Sequence, residues 1–337
     1  MTATFSPSVD GWLRMAHGRA NGRTQFDLYY FKTLTDLRAV DSDSSAHFEV
    51  PINRVQPYIT GSFMSTRHRQ NLEIDSLSRR RTATVIVGAD LRLTAKLTAG
   101  AFTRRTSLEY EANSVFLNTD LSRVLNHAST GEGASLRYAL TPLTTVGVQA
   151  EQSRDRFEFA SDRDSDNTII TANLNLNPRA LISGGVSIGV QEHRVLAGGG
   201  PNFQGTVAAA DLSYLLLGRT RFSIAARRQL DYSFVDQTDY LNSGLGVAIA
   251  QRLGERWDIG GSTTRDRLNY RRKGLVNPAG LSFPDETVLT TTGDVSYNLG
   301  RTRIGARAEY RERRNDGSSA FRGYDRLRVG ATVTYTF

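Results

Sequence analysis

The sequence predicts an all-β fold, an antiparallel up-and-down β-barrel, from three observations. Apolar and polar residues alternate along segments of about ten residues, which places them on opposite faces of extended strands. Short turn motifs recur roughly every 40 residues, the spacing expected of repeated hairpins. Longer segments rich in Gly, Asp, Asn, Ser and Pro lie between them, so short turns alternate with long loops.

These turns and loops divide the chain into hairpins. Short turns are predicted at Pro51–Arg54, Thr94–Lys96, Leu140–Leu143, Asn177–Ala180, Leu217–Thr220, Leu253–Arg256 and Leu299–Thr302. Long loops are predicted at Ala39–Ser45, Gln70–Arg80, Glu111–Gly131, Ser161–Asn167, Leu196–Gly205, Val235–Asn242, Arg272–Glu286 and Asn315–Tyr324. One rim of the barrel should therefore carry short turns and the other long loops, the asymmetry of barrels in bacterial outer membranes.

The alternation also assigns the two faces of each strand. Near the C-terminus, Ile304 and Tyr310 share one face, while Arg303 and Arg307 share the other. A charge on the lipid side costs about 2–4 kcal/mol at the middle of a bilayer, so the apolar face should contact lipid and the arginines should line the lumen. The predicted pore-lining residues are Arg92, Arg104, Arg137, Arg221, Arg227, Arg303, Arg307, Arg311, Arg326 and Arg328. The barrel is therefore predicted to be transmembrane.

Three details refine this assignment. Arg228 falls on the lipid face by strict alternation, so it either lies near the membrane interface or marks a β-bulge. The apolar face changes parity between Ile259 and Leu268, which indicates a strand that extends beyond the membrane. The scattered carboxylates are expected to pair with lumenal arginines rather than to form a hydrolytic pair. They are Glu151, Asp231, Asp258 and Glu309.

The strand count leaves the N-terminus open. Counting from Arg23 gives about 16 strands, an even number that puts both ends of the barrel on the periplasmic side. If Ser6–Met15 is also a strand, the count becomes odd, and 14 or 18 strands remain alternatives. We therefore divide the chain into an N-terminal segment, residues 1–22, with no assigned structure and a barrel over residues 23–337.

Composition narrows the class of protein. The mean hydropathy of −0.38 is too polar for a helical membrane protein, and no apolar run is long enough for a transmembrane helix. The absence of cysteine fits an exported protein. A net charge of +8 would suit nucleic acid, but the arginines recur singly between apolar residues instead of forming a patch. No nucleic-acid partner is expected.

No group of residues predicts catalysis. Gly185–Gly189 matches the G-x-S-x-G pattern, but it lies inside a predicted strand rather than at a strand-to-helix elbow. Asp162, Asp164 and Asp166 begin like a calcium loop. The sixth position of that loop requires glycine and is Asn167 here. We expect no enzyme activity, no catalytic residue, no cofactor and no metal site.

The last thirteen residues, Asp325–Phe337, alternate most clearly. They resemble the closing strand of bacterial outer-membrane β-barrels, in which the terminal segment carries the signal for the barrel assembly machinery. The resemblance implies an assembly signal made of apolar residues on one face of this strand. These residues are Leu327, Val329, Val333, Tyr335 and Phe337.

A wider resemblance rests on the hairpins, the short turns and two arginine-rich segments, Leu216–Phe234 and Thr302–Arg314. From about Arg23 to Phe337 the chain resembles the β-barrel porin type 2 group of outer-membrane proteins, many of which are encoded with exopolysaccharide export systems. The resemblance implies a location in the bacterial outer membrane, contact with its lipid, and periplasmic polysaccharide export components as partners.

The leading functional hypothesis is a porin or channel. Rings of arginine bias a pore toward anions, so the barrel should pass or guide a hydrophilic, anionic solute or an exopolysaccharide. The alternative is a non-conducting scaffold or receptor barrel, whose long loops bind a partner or fill the lumen. A third hypothesis, a soluble all-β carbohydrate-binding or adhesive protein, requires polar outer faces and a packed apolar interior.

Overall fold

The computed structural model describes residues 2–33, 35, 38–67, 71–197, 201–235, 238–271, 284–315 and 322–335. The strands are β1 (Thr2–Phe5), β2 (Ser8–Arg14), β3 (Arg19–Phe31), β4 (Ala39–Glu49), β5 (Val55–Thr66), β6 (Arg80–Arg92), β7 (Leu97–Tyr110), β8 (Val115–Phe116), β9 (Thr119–Asp120), β10 (His127–Thr141), β11 (Thr144–Phe157), β12 (Ser165–Leu176), β13 (Ile182–Val195), β14 (Phe203–Leu216), β15 (Thr220–Tyr232), β16 (Asp239–Leu253), β17 (Trp257–Tyr270), β18 (Glu286–Leu299), β19 (Thr302–Asn315) and β20 (Tyr324–Tyr335). Within these ranges there is one α-helix, α1, which spans Leu121–Leu125.

Eighteen strands form one sheet, and β8 and β9 form a separate pair. β1 and β2 pair with successive parts of β3, so the N-terminal residues belong to the same sheet. From β3 onward each long strand pairs antiparallel with the next, and β7 pairs with β10 across the excursion that holds β8, β9 and α1. This up-and-down meander confirms the predicted fold class. From β3 onward the sheet has the 16 strands counted from the sequence, and β1 and β2 together occupy one further position beside β3, which makes the number of positions odd.

The predicted short turns coincide with the gaps between paired strands. In the three turns that begin with Leu-Gly, the glycines Gly218, Gly254 and Gly300 have φ of 68°, 64° and 59°. This left-handed conformation is strained for other residues and free for glycine. Leu217 precedes the first of these glycines with a φ of 51°. The Leu-Gly motif therefore marks tight hairpins because of its backbone requirement.

One predicted loop is wrong. Ala39–Ser45 lies within β4 and pairs with β3, and from Ser42 onward also with β5. The carboxylate of Asp41 accepts hydrogen bonds from the Thr66 hydroxyl at 3.0 Å and from the Arg67 backbone N–H at 2.8 Å. The inner face of this strand is as polar as a loop, so composition alone misplaces it.

The predicted loop Glu111–Gly131 holds regular structure. It contains β8, β9 and α1, and β10 already begins at His127. The Asp120 carboxylate caps α1 by accepting from the Ser122 backbone N–H at 3.0 Å. Among the described residues no helix is long and apolar enough to cross a membrane. Parts of five other predicted loops, residues 70, 198–200, 236–237, 272–283 and 316–321, lie outside the described residues.

Large apolar side chains cover the outer face of the sheet. On β16, Leu245 and Val247 are 59% and 52% exposed, and on β13 Ile188 is 59% exposed. A soluble β-protein would bury this apolar face and expose its polar one. The soluble carbohydrate-binding hypothesis is therefore wrong, because the apolar faces point outward as they do in a membrane barrel.

The strand pairing explains the two places where the alternation of apolar and polar residues is irregular, at Arg228 and between Ile259 and Leu268. Arg228 pairs with Ala208 and Ser243 without a register shift, so it lies on the outer face and marks no bulge. β17 also pairs continuously on both sides. Ile259 is exposed on its outer face, whereas Leu268 is fully buried on its inner face. The apolar residues change faces because the inner face of β17 becomes apolar near its C-terminal end.

The outer face of β20 carries most of the predicted assembly signal. Leu327, Val329, Val333 and Tyr335 are all exposed there. Phe337 lies outside the described residues. Recognition of this strand by the barrel assembly machinery stays a prediction.

Candidate functional site: an arginine-lined lumen beneath a packed cap

The end of the barrel with the long loops is filled on its inner side by a packed cap. We define the cap as residues 71–78, α1, residues 233–235 and Arg322. Its apolar centre joins Ile74, Leu121 and Phe234, which are fully buried. Inward-facing residues at the strand ends complete it: Tyr110, Tyr240, Leu268, Tyr270 and Val288. Since β10 to β16 separate β7 from β17 in the sheet, residues of both strands pack together across the lumen.

The hairpin of β15 and β16 bends into the lumen to form part of this cap. Pairing with β14 ends at Arg228, although β15 continues to Tyr232. The Tyr232 hydroxyl donates a hydrogen bond of 2.5 Å to the carboxylate of Asp155 on β11. Four strand spacings, about 19 Å along the sheet, separate β11 from β15, so this bond crosses the interior. Arg163 holds the hairpin tip by donating to the Ser233 carbonyl at 2.8 Å.

Buried ion pairs tie the cap to the strands. The Glu286 carboxylate is fully buried and pairs with the guanidinium groups of Arg313 and Arg322, the latter at 3.3 Å. Arg313 also donates to the Leu72 carbonyl at 3.0 Å, and Arg322 donates to the carbonyl of Glu73. Charges removed from water are tolerated when each has a partner, so this group couples the loop before β6 to β18 and β19.

Glu73 is a second fully buried carboxyl in the cap. It accepts hydrogen bonds from the Ser233 hydroxyl and from the Phe234 backbone N–H at 3.2 Å. Burial raises the pKa of Glu73 to about 7, against the opposing effects of the Ser233 hydrogen bond and the Arg322 charge. The hairpin tip is thus held by a group that titrates near neutral pH.

We expect the cap to lose stability as the pH rises from about 5 to about 8. The folded pKa of Glu73, about 7, lies above its ordinary value of 4.5, so the folded state holds this proton more tightly. The resulting stability is complete below pH 4.5 and is lost as the pH rises through 7, a change of about 3 kcal/mol. Amide hydrogen exchange of residues 71–78 and 233–235, corrected for intrinsic rates, measures this change.

Two variants control this experiment. Glu73→Gln should remove the pH dependence of exchange in the cap. Glu111→Gln, in an exposed loop, should leave it intact. Equal protection of the wild-type cap at pH 5 and pH 8 would contradict the expectation.

Seven of the ten predicted pore-lining arginines line three cavities of the lumen. Arg92 and Arg137 line a cavity of about 290 Å³ near the short turns. Arg104 and Arg137 line a neighbouring cavity of about 400 Å³. A cavity of about 770 Å³ beneath the cap is lined by Arg227, Arg311, Arg326 and Arg328. Arg221, Arg303 and Arg307 line none of these three cavities. Contact of these arginines with a solute stays a prediction.

Most of these arginines pair with carboxylates. Arg104 pairs with Glu151, Arg137 with Asp90 at 2.5 Å, Arg227 with Asp266 at 2.7 Å, and Arg303 with Asp258 at 3.6 Å. Glu309 lies 3.8 Å from Arg307, 3.8 Å from Arg311 and 3.9 Å from Arg326. Among the described residues, Arg92, Arg221 and Arg328 form no ion pair. Asp231 differs from the expectation, because it accepts from the Gln229 and Asn242 side chains instead of from arginine.

The 770 Å³ space, which we call the arginine cavity, is the largest of the three and is lined by more arginines than either of the others. Five arginines and two carboxylates line it, a net charge of +3. Arg311 stands directly opposite Arg326 in the register of β19 and β20. The Nε atoms of Arg80, Arg311 and Arg326 are buried there and have no hydrogen-bond acceptor within the described part of the chain. Buried donors of this kind are rare and call for a partner.

Sequence reasoning missed Arg80 in this cavity. It stands in a run of three arginines, Arg79 to Arg81, which hides the alternation at the start of β6. Counting back in steps of two from Arg92, on the inner face, would have found it. Glu73 and Arg322 lie in loops, where no periodic signal exists.

The G-x-S-x-G pattern and His193 both lie in β13. Gly185–Gly189 lies inside the uninterrupted strand β13. His193 is buried, and its Nδ1 lies 2.8 Å from the Asn167 side-chain oxygen. Within the described ranges no group of three or more His, Asp or Glu side chains could hold a metal ion.

Known structures share this architecture. FpvA of Pseudomonas aeruginosa, bound to pyoverdines, has a TM-score of 0.53 at 10% identity, over 100% of this chain and 57% of its own. The siderophore receptor PirA of Pseudomonas aeruginosa has a TM-score of 0.51 at 11% identity, over 100% and 70%. The FrpB iron transporter of Neisseria meningitidis has a TM-score of 0.51 at 9% identity, over 94% and 63%. The chain spans about three fifths of the length of most such structures, and this likeness shows the fold alone.

The outward apolar face, the inward charges and the meander define a β-barrel of the outer-membrane type. The chain belongs to the family described as Putative beta-barrel porin 2, whose model matches residues 125–337. Among curated proteins no sequence matches the chain. Family and fold together place the protein in the bacterial outer membrane.

Proposed function

We propose that this protein is an outer-membrane porin that passes or guides a hydrophilic, anionic solute through its lumen. The observation that carries the proposal is the arginine cavity. Like charges directly opposite on neighbouring strands repel, and within the described part of the chain Arg311 and Arg326 share one carboxylate, that of Glu309, at 3.8 and 3.9 Å. A passing carboxylate or phosphate would relieve this repulsion and accept from the unsatisfied guanidinium groups.

The solute that we favour is small. The cap fills the inner side of the barrel at the long loops, and the cavity beneath it has the size of a site for a small molecule. An exopolysaccharide delivered by periplasmic export components is a further candidate for the cargo, and it would require the cap to open. In either case the short turns would face the periplasm.

A specific observation favours a second function, a non-conducting receptor or scaffold barrel. The cap is held by the buried ion pairs of Glu286 and by the buried Glu73, so it is built as a stable element. Most lumenal arginines also have carboxylate partners, as expected for a wall that does not conduct. In such a barrel the long loops would bind a partner outside the cell.

We expect Arg311→Ala/Arg326→Ala to reduce the preference for chloride over potassium by roughly threefold, because the substitution removes two fixed charges from the basic cavity beneath the cap. Reversal potentials of the refolded protein in planar lipid bilayers measure this ratio. Arg81→Ala/Arg265→Ala removes two exposed arginines from the outer face and should leave the ratio unchanged. Cation preference in the wild type would contradict the anion proposal, and an inserted but silent barrel would favour the receptor.

A further inference from the structure

The outer face of the sheet carries two rows of arginines near the long loops. The register of the first row aligns Arg105, Thr130, Arg154, Asp166 and Arg194 on successive strands from β7 to β13. The register of the second row aligns Arg228, Ser243, Arg267, Thr287 and Arg314 on successive strands from β15 to β19. Every second strand in each row therefore carries an arginine, and we call these six residues the arginine belt.

The belt lies where the apolar outer face ends. All six arginines are exposed, and each stands within about five residues of the strand end that leads into a long loop. On β13, Arg194 follows the exposed Ile188 and Val190 on the same face. An arginine costs several kcal/mol at the middle of a bilayer but little at its interface, so this height corresponds to the lipid headgroups.

The arginines of the first row also lack carboxylate partners in the described part of the chain. In the part of the chain that the structure describes, Arg105, Arg154 and Arg194 form no ion pair. The carboxylate between them, Asp166, is held by the Arg156 guanidinium at 2.9 Å. Two strand spacings, about 10 Å, separate neighbouring arginines of the row. Three free guanidinium groups thus face the headgroup region at regular intervals.

We propose that the arginine belt binds the phosphate groups of phosphorylated glycolipid in the outer leaflet of the outer membrane. Guanidinium groups recognise phosphate through paired, charge-assisted hydrogen bonds, and clusters of basic residues at the membrane surface attract anionic headgroups. The long loops of outer-membrane barrels face the outside, so the belt meets the outer leaflet. This site lies outside the barrel and does not depend on what the lumen carries.

The test measures binding of bis-phosphorylated lipid A to the full chain in detergent micelles by native mass spectrometry. Arg105→Gln/Arg154→Gln/Arg194→Gln should weaken binding by roughly tenfold or more. The control, Arg19→Gln/Arg252→Gln/Arg256→Gln, removes the same charge near the short turns and should stay within about twofold of the wild type. If the triple variant fails to fold, Arg154→Gln alone, at the centre of the row, should still weaken binding by roughly threefold.

Binding of two other lipids shows which headgroup the arginine belt recognises. Removing the phosphates from lipid A should weaken its binding to the wild type. The loss should be as large as the loss that the triple variant shows with bis-phosphorylated lipid A. Equal affinity of the triple variant and the wild type for bis-phosphorylated lipid A would overturn the proposal. Binding of phosphatidylglycerol as tight as that of bis-phosphorylated lipid A would also overturn it, because the belt would then attract any anionic lipid.

Discussion

Glu286→Gln is expected to destabilise the cap by about 3–5 kcal/mol, because it leaves the buried guanidinium groups of Arg313 and Arg322 without their shared counter-charge. Arg322 bonds to the carbonyl of Glu73, so the loop of residues 71–78 should loosen with it. Amide hydrogen exchange should rise in that loop and at residues 233–235 while the strands stay protected. If the lumen conducts, the mean conductance in bilayers should rise as well, since the cap fills its outer end.

Glu312→Gln is the matched control for this prediction. Glu312 pairs with Arg314, whose side chain is 77% exposed, on the same strand as Arg313. Exposed ion pairs contribute little, so the cap of this variant should keep its protection to within about 1 kcal/mol. Unchanged exchange in Glu286→Gln would mean that the buried pairs do not hold the cap.

The strands of the barrel wall were predicted well from the sequence, because side chains in a strand point to the same face at every second residue. A residue such as Val247 alternates with small or polar neighbours, and this local pattern is enough to assign its face. The Leu-Gly turns were equally readable, because Gly218 needs a left-handed backbone wherever the chain folds. β4 shows the limit of this reasoning, since a polar inner face and a loop have the same composition.

The cap was not predictable, because its contacts join segments that are remote in sequence. The Glu73 carbonyl meets Arg322, 249 residues away, and Tyr232 meets Asp155, 77 residues away. No periodicity connects such pairs. One trace of the cap was visible in the sequence. At Leu268 the apolar residues of β17 change from the outer face to the inner face. This change marks the level at which the inner face packs against loops instead of facing water.

The cap also changes the electrostatic environment of the lumenal arginines. In an open pore Arg311 and Arg326 would meet bulk water, and their repulsion would be screened. Beneath a packed cap the same pair lies in a partly enclosed cavity with buried donors, where an anion gains more from binding. For the porin function that we propose, ion selectivity should therefore arise at the arginine cavity, directly inside the cap, rather than evenly along the wall.

Ile188→Arg is expected to destabilise the membrane-inserted barrel by about 2–4 kcal/mol, because it places a charge on the outer face near the middle of β13. Ile188 is 59% exposed in the protein, so it should contact lipid. Reversible urea unfolding in phospholipid vesicles measures the difference. A soluble β-protein would tolerate arginine at such an exposed position, so the size of the loss tests the assignment of the outer face.

Ser187→Arg provides the opposite case one residue away. Ser187 pairs with Asn173 on the inner face, where arginine is already the common residue of the wall. The same charge at the same depth should then cost less than about 1 kcal/mol, because it reaches the polar lumen instead of lipid. Equal losses at positions 187 and 188 would show that arginine disturbs the packing of β13 generally, and would remove the support that this pair of variants gives to the two-faced wall. A large loss at position 188 alone would establish which face of the sheet meets the membrane.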